Sequence, residues 1–359
     1  MARTALFHGP DRPLELVTEP TPEPRAGELL VRVSCCTLCR SDLHTHAGRR
    51  TEPTPAVLGH EVVGRVEAFG PGAAPTDFRG TPAAVGTRVT WAVAVGCGSC
   101  FFCADGLPQK CETPFKYGHR RAEPGRPAGG LAEFVVLVPG TAWFVVPDAI
   151  PDRVAAPANC ATATAAAVLR SAGPVAGRTV LVFGAGVLGL TACALARAAG
   201  AAAVIVADPL PANRARAALF GATHAAAPGD ETRAAVFAAT AGRGADVVLE
   251  LAGTADAVAA SLALARVGGT VILAGTVAPV GAVPLNPEAV VRRMLTVRGV
   301  HNYHPADLAA ALDFLAGPGA AYPFAGLVGE SYPLADADRA FAAAHARPGV
   351  RVAVGSASS

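Results

Sequence analysis

The chain has 359 residues, 52% hydrophobic and 16% charged, with 30 basic against 28 acidic side chains and a formal net charge of +2. A balance so close to neutral excludes a charge-driven nucleic-acid or membrane-surface binder, and the length allows two domains with sizeable cores. The opening MARTALFHGPDRPLEL has no apolar signal core and no uninterrupted apolar run nears the ~18 residues of a membrane span, so a cytoplasmic protein is expected.

The first third reads as short strands punctuated by Pro and Gly: TALFHG, LELVTEP, ELLVRVSC, EVVGRVEAFG, TRVTWAVAV, AEFVVLV and WFVVP. Short alternating strands at close intervals predict a β-rich unit, partly rolled up. The turn-rich segment 71–86 is expected to be an inserted surface loop.

Within this part stands GCGSCFFCADGLPQKC, which places Cys97, Cys100, Cys103 and Cys111 within fifteen positions. Three cysteines at two-residue gaps and a fourth after seven can wrap one loop around a tetrahedral zinc. Four thiolates leave no position open for substrate, so this site is expected to be structural. Cys39 in CTLCRSDLHTHAG, His60 in LGHEVVG and Cys160 in PANCATATAAA make a second, Cys2His set. Three ligands with a fourth position free is the pattern of a catalytic zinc; taken singly, His60 also fits a core histidine and Cys160 a buried thiol. Both sites need reduced thiolates, which a reducing compartment preserves. Cys35, Cys36 and Cys193 read as packing residues.

Near Pro151 the texture changes. Helical PDRVAAPANCATATAAAVLRSAG leads into RTVLVFGAGVLGL, and strands then alternate with helices through AAVIVAD, NRARAALFGA, ADVVLELAG, AVAASLALARV, GGTVILAG and LTVRGV. Continuously apolar strands between helices predict a parallel sheet covered on both faces. Gly184, Gly186, Leu188 and Gly189 fall in G-A-G-V-L-G between a strand and a helix. The first glycine permits a tight turn, the second lets backbone approach a pyrophosphate, and the third lets helix and strand pack closely; the phosphates then sit on the helix N-terminus. Asp208 closes the next strand, where a carboxylate accepts from both ribose hydroxyls and repels a 2′-phosphate. NAD is therefore expected over NADP, with Arg214 nearby able to soften the preference.

With both cysteine sets and the glycine turn in order, the chain resembles the zinc-containing medium-chain alcohol dehydrogenases over nearly its whole length. The resemblance implies an α/β protein: a GroES-like β-rich catalytic domain over 1–152, completed by about 319–359, and a doubly wound Rossmann domain over 153–318, with the active site in the cleft between them. It implies two zinc ions per chain, NAD, a small alcohol or aldehyde as the partner molecule, and a homodimer or homotetramer. By the same resemblance, Cys39, His60 and Cys160 hold the catalytic zinc, and Glu61 is an occasional exchange ligand. Ser41 takes the alcohol proton, His44 is the outer end of the relay, and Asp42 orients the ligating histidine. Arg40 and Arg351 hold the pyrophosphate, and Thr164 stands behind the nicotinamide.

CTLCRSDLHT, FFCADGLPQKCETPFKYGH, APANCATATAAA and GVHNYHP resemble, more narrowly, a subgroup of alcohol dehydrogenases associated with phosphonate catabolism. Arg49, Arg50, Lys116, His119, Arg120 and Arg121 flank the catalytic segments, and Arg and Lys suit phosphonate oxygens. An anionic alcohol is therefore the expected substrate, with ordinary surface charge as the alternative reading of these residues. Polyol dehydrogenases of the superfamily often carry Glu where this chain has Cys160. The same folds also serve NAD-retaining epimerases and lyases, and a zinc- and NAD-binding scaffold is a third reading.

Overall fold

The computed structural model describes residues 1–277, 279–347 and 349–355. The chain forms two compact units: residues 1–160, 304–316 and 324–355 make the first, and 161–303 with 317–323 the second. The last four residues of the C-terminal segment expected to complete the first domain lie outside the described residues. The first crossing of the chain falls after Cys160 rather than at 152. The reason is local. The 3-10 turn Ala156–Asn159 is fully buried, and the Asn159 side chain accepts from Val62 N at 3.3 Å and donates to Trp91 O at 2.8 Å, which fastens this segment to the β-rich unit. Helix Pro305–Ala316 also goes with the first unit, where Arg79 pairs with Asp313 at 2.7 Å.

The first unit is built on a seven-stranded sheet. Its central strand, Leu29–Leu38, pairs antiparallel with Glu61–Phe69, Phe134–Leu137 and Arg351–Val354. Nearly every residue of that strand is buried, which is why it reads as an apolar run rather than a clean alternation. Val31, Trp91, Tyr117 and Phe341 are all buried in its core. Arg351–Val354 pairs Ala353 with Thr37, and Thr37 pairs in turn with Glu61, so the far end of the chain is brought beside the GHE segment. The 71–86 segment is more than a surface loop. Asp77 is buried; its Oδ1 accepts from Arg79 N and Thr81 N, both at 2.8 Å, and its Oδ2 from Val145 N at 3.0 Å. One carboxylate folds the loop and pins it to strand Trp143–Val145.

The second unit carries a six-stranded parallel sheet in the order His224–Ala226, Ala203–Ala207, Thr179–Phe183, Ala245–Glu250, Ala265–Leu273 and Thr296–Gly299. Numbered along the chain this is 3-2-1-4-5-6, the doubly wound order of dinucleotide-binding sheets. The order reverses between Thr179–Phe183 and Ala245–Glu250, which opens a crevice at their C-terminal ends. Thr179–Phe183 is buried throughout, as a strand covered on both faces must be. The short edge strand His224–Ala226 escaped the sequence reading because His-Ala-Ala carries no strand pattern.

Candidate metal centres and dinucleotide site

Helix Arg40–His46 begins at Cys39, whose sulfur accepts from Ser41 N at 3.3 Å while Asp42 Oδ2 accepts from Cys39 N at 2.9 Å. This reciprocal cap fixes the thiol at the head of the helix. Asp42 is buried; its other oxygen accepts from Gly59 N at 3.2 Å and lies 3.2 Å from His60 Nδ1, off the direction of a good hydrogen bond. One carboxylate thus ties both sequence segments together and turns His60 Nε2 toward the thiols. Gly59 is required there: its φ is +87°, and a Cβ would come within 2.6 Å of Cys36 Sγ.

His60 Nε2 lies 3.1 Å from Cys39 Sγ and 3.5 Å from Cys160 Sγ, and the three donor atoms all fall within 4.8 Å of one another. Tetrahedral zinc bonds of about 2.3 Å to sulfur and 2.0–2.1 Å to nitrogen would set S and N roughly 3.6 Å apart, so the set fits zinc with little adjustment. Burial opposes a thiolate at Cys39, but Cys160 and His60 together hold that thiol well below its usual range. Burial likewise opposes a charged His60, and Asp42 and Cys39 overcome it. The Cys160 thiol is driven up by its hydrogen bond to Cys39 and by burial. A divalent cation held by these three donors would favour two thiolates and a neutral imidazole.

Ser41 Oγ is 2.9 Å from Cys39 Sγ and 3.4 Å from His60 Nε2, in contact with two of the three donors. His44 follows three residues later on the same helix and is held below its ordinary value by burial and the charges of Arg40 and Arg49. Arg40 Nε donates to His44 Nε2 at 3.3 Å, so in this structure it contacts the relay histidine expected beyond Ser41. Glu61, expected as an occasional exchange ligand, is bonded to other partners in this structure. It is fully buried, its two oxygens accept from Arg351 at 2.8 and 2.9 Å, and Thr37 Oγ1 adds a third bond at 2.7 Å. Arg351, expected on a pyrophosphate, is committed to this pair.

Three of the six flanking cations gather near the metal set. The His119 ring packs on that of His60 with centroids 4.6 Å apart, and Gly118 lets the turn press this close, since a Cβ there would lie 3.0 Å from His60 Cβ. His119 Nδ1 is 3.2 Å from Glu52 Oε1, which also takes Arg50 at 2.7 Å. Half-buried Lys116 is pushed below its ordinary value by burial, then by the charges of Arg50 and Lys110. Arg49 is exposed, Arg120 lies over the Phe115 ring, and Arg121 donates to Thr54 O. Glu52 was missed because a lone acid in GRRTEPTP carries no spacing signal.

Cys97, Cys100, Cys103 and Cys111 converge in a second group. Cys100 Sγ and Cys111 Sγ are 3.8 Å apart, close to the roughly 3.8 Å edge of a zinc tetrathiolate. Backbone N–H groups of Cys97, Cys100 and Thr113 donate to Cys111, Cys97 and Cys111 sulfurs at 3.3–3.4 Å. Such donors favour thiolates: bonds from the Ser99 and Cys100 segment draw Cys97 down to about 6.

In the second unit Gly184 turns with φ +94°, a Cβ on Gly189 would lie 1.8 Å from Gly184 O, and one on Gly186 would meet nothing within 4 Å. The three glycines thus give a turn, a tight strand–helix contact and open space at the N-terminus of helix Val187–Ala198, with Leu188 half-buried in its first turn. Asp208 is buried rather than solvated. Its Oδ2 accepts from Ala185 N in the glycine turn at 2.8 Å, and its Oδ1 from Leu210 N and Asn213 Nδ2 at 2.9 and 3.0 Å. Arg214 is tied to the Asp208 and Pro209 carbonyls. Thr164 lies half-buried on helix Ala161–Ala172.

Residues 25–148 match the alcohol dehydrogenase GroES-like domain profile and residues 187–317 the zinc-binding dehydrogenase profile. The chain is 31% identical to 5-exo-hydroxycamphor dehydrogenase of Pseudomonas putida over 94% of both chains. It is 34% identical to L-threonine 3-dehydrogenase of Deinococcus deserti over 80% of each. An alcohol dehydrogenase from Thermotoga maritima superimposes with a TM-score of 0.92 at 28% identity, covering 99% of both chains.

Proposed function

Since the chain belongs to the zinc-dependent medium-chain alcohol dehydrogenases, we propose that it interconverts a small anion-bearing alcohol and its aldehyde or ketone, with NAD as hydride acceptor. The observation that carries the reaction class is the open three-donor set Cys39, His60 and Cys160 with Ser41 at its face. Zinc held there supplies a Lewis acid that lowers the alcohol's pKa, and the dinucleotide supplies the hydride acceptor. Ser41 Oγ takes the proton leaving the alcohol. His44, held below its ordinary value by burial and neighbouring arginines, carries it outward. Asp42 holds His60 in register throughout. Cys97, Cys100, Cys103 and Cys111 hold a second, structural zinc. Asp208 at the strand end favours NAD over NADP.

The anionic substrate rests on Arg50, Lys116 and His119. Arg50 pairs with Glu52 at 2.7 Å, Lys116 stands close enough to feel both charges, and His119, whose ring packs on His60, is held below its ordinary value chiefly by burial, so Lys116 is the cation left for a phosphonate, phosphate or carboxylate to neutralise. The test compares an anion-bearing alcohol with an uncharged one of equal length. A preference of about tenfold or more in kcat/KM, lost in Lys116→Gln, supports the reading; equal kcat/KM on both substrates removes the anion site.

Two further readings attach to the same assignment. Strand Thr296–Gly299 is exposed and pairs on one side only among the described residues, with Val291 and Met294 exposed beside it. A second copy covering that edge makes a homodimer, which sedimentation would detect. The reduced thiolates of both metal sets favour a cytoplasmic location; no described helix is long and apolar enough to cross a membrane.

A further inference from the structure

Glu250 is the last residue of strand Ala245–Glu250, on the reversal side of the parallel sheet, and it is fully buried. A buried carboxylate is costly unless its oxygens are satisfied. Here they are satisfied by two different loops. Oε1 accepts from Gly253 N at 2.6 Å, in the loop after its own strand. Oε2 accepts from Thr276 Oγ1 at 3.1 Å, in the loop after strand Ala265–Leu273. Its backbone carbonyl accepts from Ala274 N and Gly275 N at 3.0 and 2.8 Å. The two loops touch as closely as backbone allows: Gly253 has φ +72°, and a Cβ on it would fall 2.4 Å from Gly275 O.

In a doubly wound sheet the dinucleotide lies across the reversal of strand order, one mononucleotide on each side. The glycine turn after Thr179–Phe183 and Asp208 after Ala203–Ala207 occupy the side that takes the adenosine. The other half must then fall on the side of Ala245–Glu250 and Ala265–Leu273, where the loops clamped by Glu250 emerge. We propose that Glu250 is a positioning residue for the nicotinamide half of the cofactor, joining the Leu251–Thr254 and Ala274–Val277 loops into one rigid floor. This rests on the dinucleotide reading above and deepens it.

Binding of NADH and of AMP, each titrated on the intact protein, tests it. AMP uses the adenosine side alone. Glu250→Gln keeps the shape of the side chain but sets an amide N–H against one of the donors it now accepts from. It is expected to weaken NADH by about tenfold, ~1.4 kcal/mol, while AMP changes less than about twofold. Thr276→Val removes one bond only and should weaken NADH selectively by a smaller factor. The double variant should be no worse than Glu250→Gln, because both changes break one clamp. If Glu250→Gln folds poorly, Thr276→Val carries the test. Equal loss of NADH and AMP, or unchanged NADH affinity in either folded variant, overturns the inference. A wild-type protein that binds neither ligand would overturn the dinucleotide reading itself.

Discussion

The Arg351 guanidinium grips both oxygens of Glu61, 290 positions earlier in the chain, at 2.8 and 2.9 Å. Glu61 is fully buried, so this pair joins the C-terminal strand to the segment that carries His60. Breaking a buried pair from one side leaves the other charge uncompensated. Arg351→Met should therefore cost about 3–5 kcal/mol in denaturant unfolding. The double variant Arg351→Met with Glu61→Gln should cost less than the two single changes added together. Additive losses would show that the two residues act independently.

Asp208 holds the glycine turn in the structure and is proposed to select the cofactor, and its removal should separate the two roles. Asp208→Ser removes the charge that repels a 2′-phosphate and should lower the preference for NAD over NADP by about tenfold or more. It also takes the acceptor from Ala185 N in the glycine turn, so both dinucleotides should bind more weakly than NAD binds the wild type. Affinities for the two cofactors, measured by fluorescence titration, check both effects. A wild-type protein that prefers NADP would contradict the assignment.

What could be read from sequence was what is local. The Cys97–Cys111 loop is legible because its ligands lie within one short stretch, and the glycine turn because its steric demands are fixed by residue type. Cys39, His60 and Cys160 lie far apart along the chain, so they are legible only as a Cys2His set of residue types, strengthened by the family pattern, and not from spacing. Partners fixed by tertiary register stayed hidden. Glu61 was expected at the metal and Arg351 at the pyrophosphate, whereas strand pairing through Thr37 brings them to each other. Glu52, Asp77 and Glu250 gave no signal, because a single acid in a loop or at a strand end looks solvated until its donors are seen.

His46 links pH to stability. Its ring stacks on Phe341 with centroids 4.2 Å apart; burial, then the charge of His345, holds it below its ordinary value, with Asp338 and Asp11 pulling the other way. The unfolded chain therefore takes up the proton at higher pH than the folded one. The stability His46 contributes is full above about pH 6.5 and is lost as pH falls through its folded value. His46→Phe keeps a ring against Phe341 and removes the proton. Its thermal midpoint should fall less between about pH 7 and pH 5 than that of the wild type; parallel curves would contradict this.

Cys103→Ala should open the four-cysteine site and destabilise the protein, because a closed structural zinc contributes folding free energy directly. Chelation should lower the thermal midpoint of the wild type by clearly more than that of Cys103→Ala, which has only the three-donor site left to lose. Equal sensitivity of both proteins to chelator would assign the stabilising metal elsewhere.

The central claim is that two zinc sites share one chain with unequal roles, the three-donor site alone performing alcohol oxidation. Zinc content and NADH formation, measured on the same samples of wild type and Cys160→Ala, test it most directly. The wild type is expected to hold two zinc ions per chain and to form NADH from an alcohol. Cys160→Ala is expected to hold one ion, to fold and to form no NADH. One zinc per chain in fully active wild type, or turnover surviving in Cys160→Ala, would contradict it.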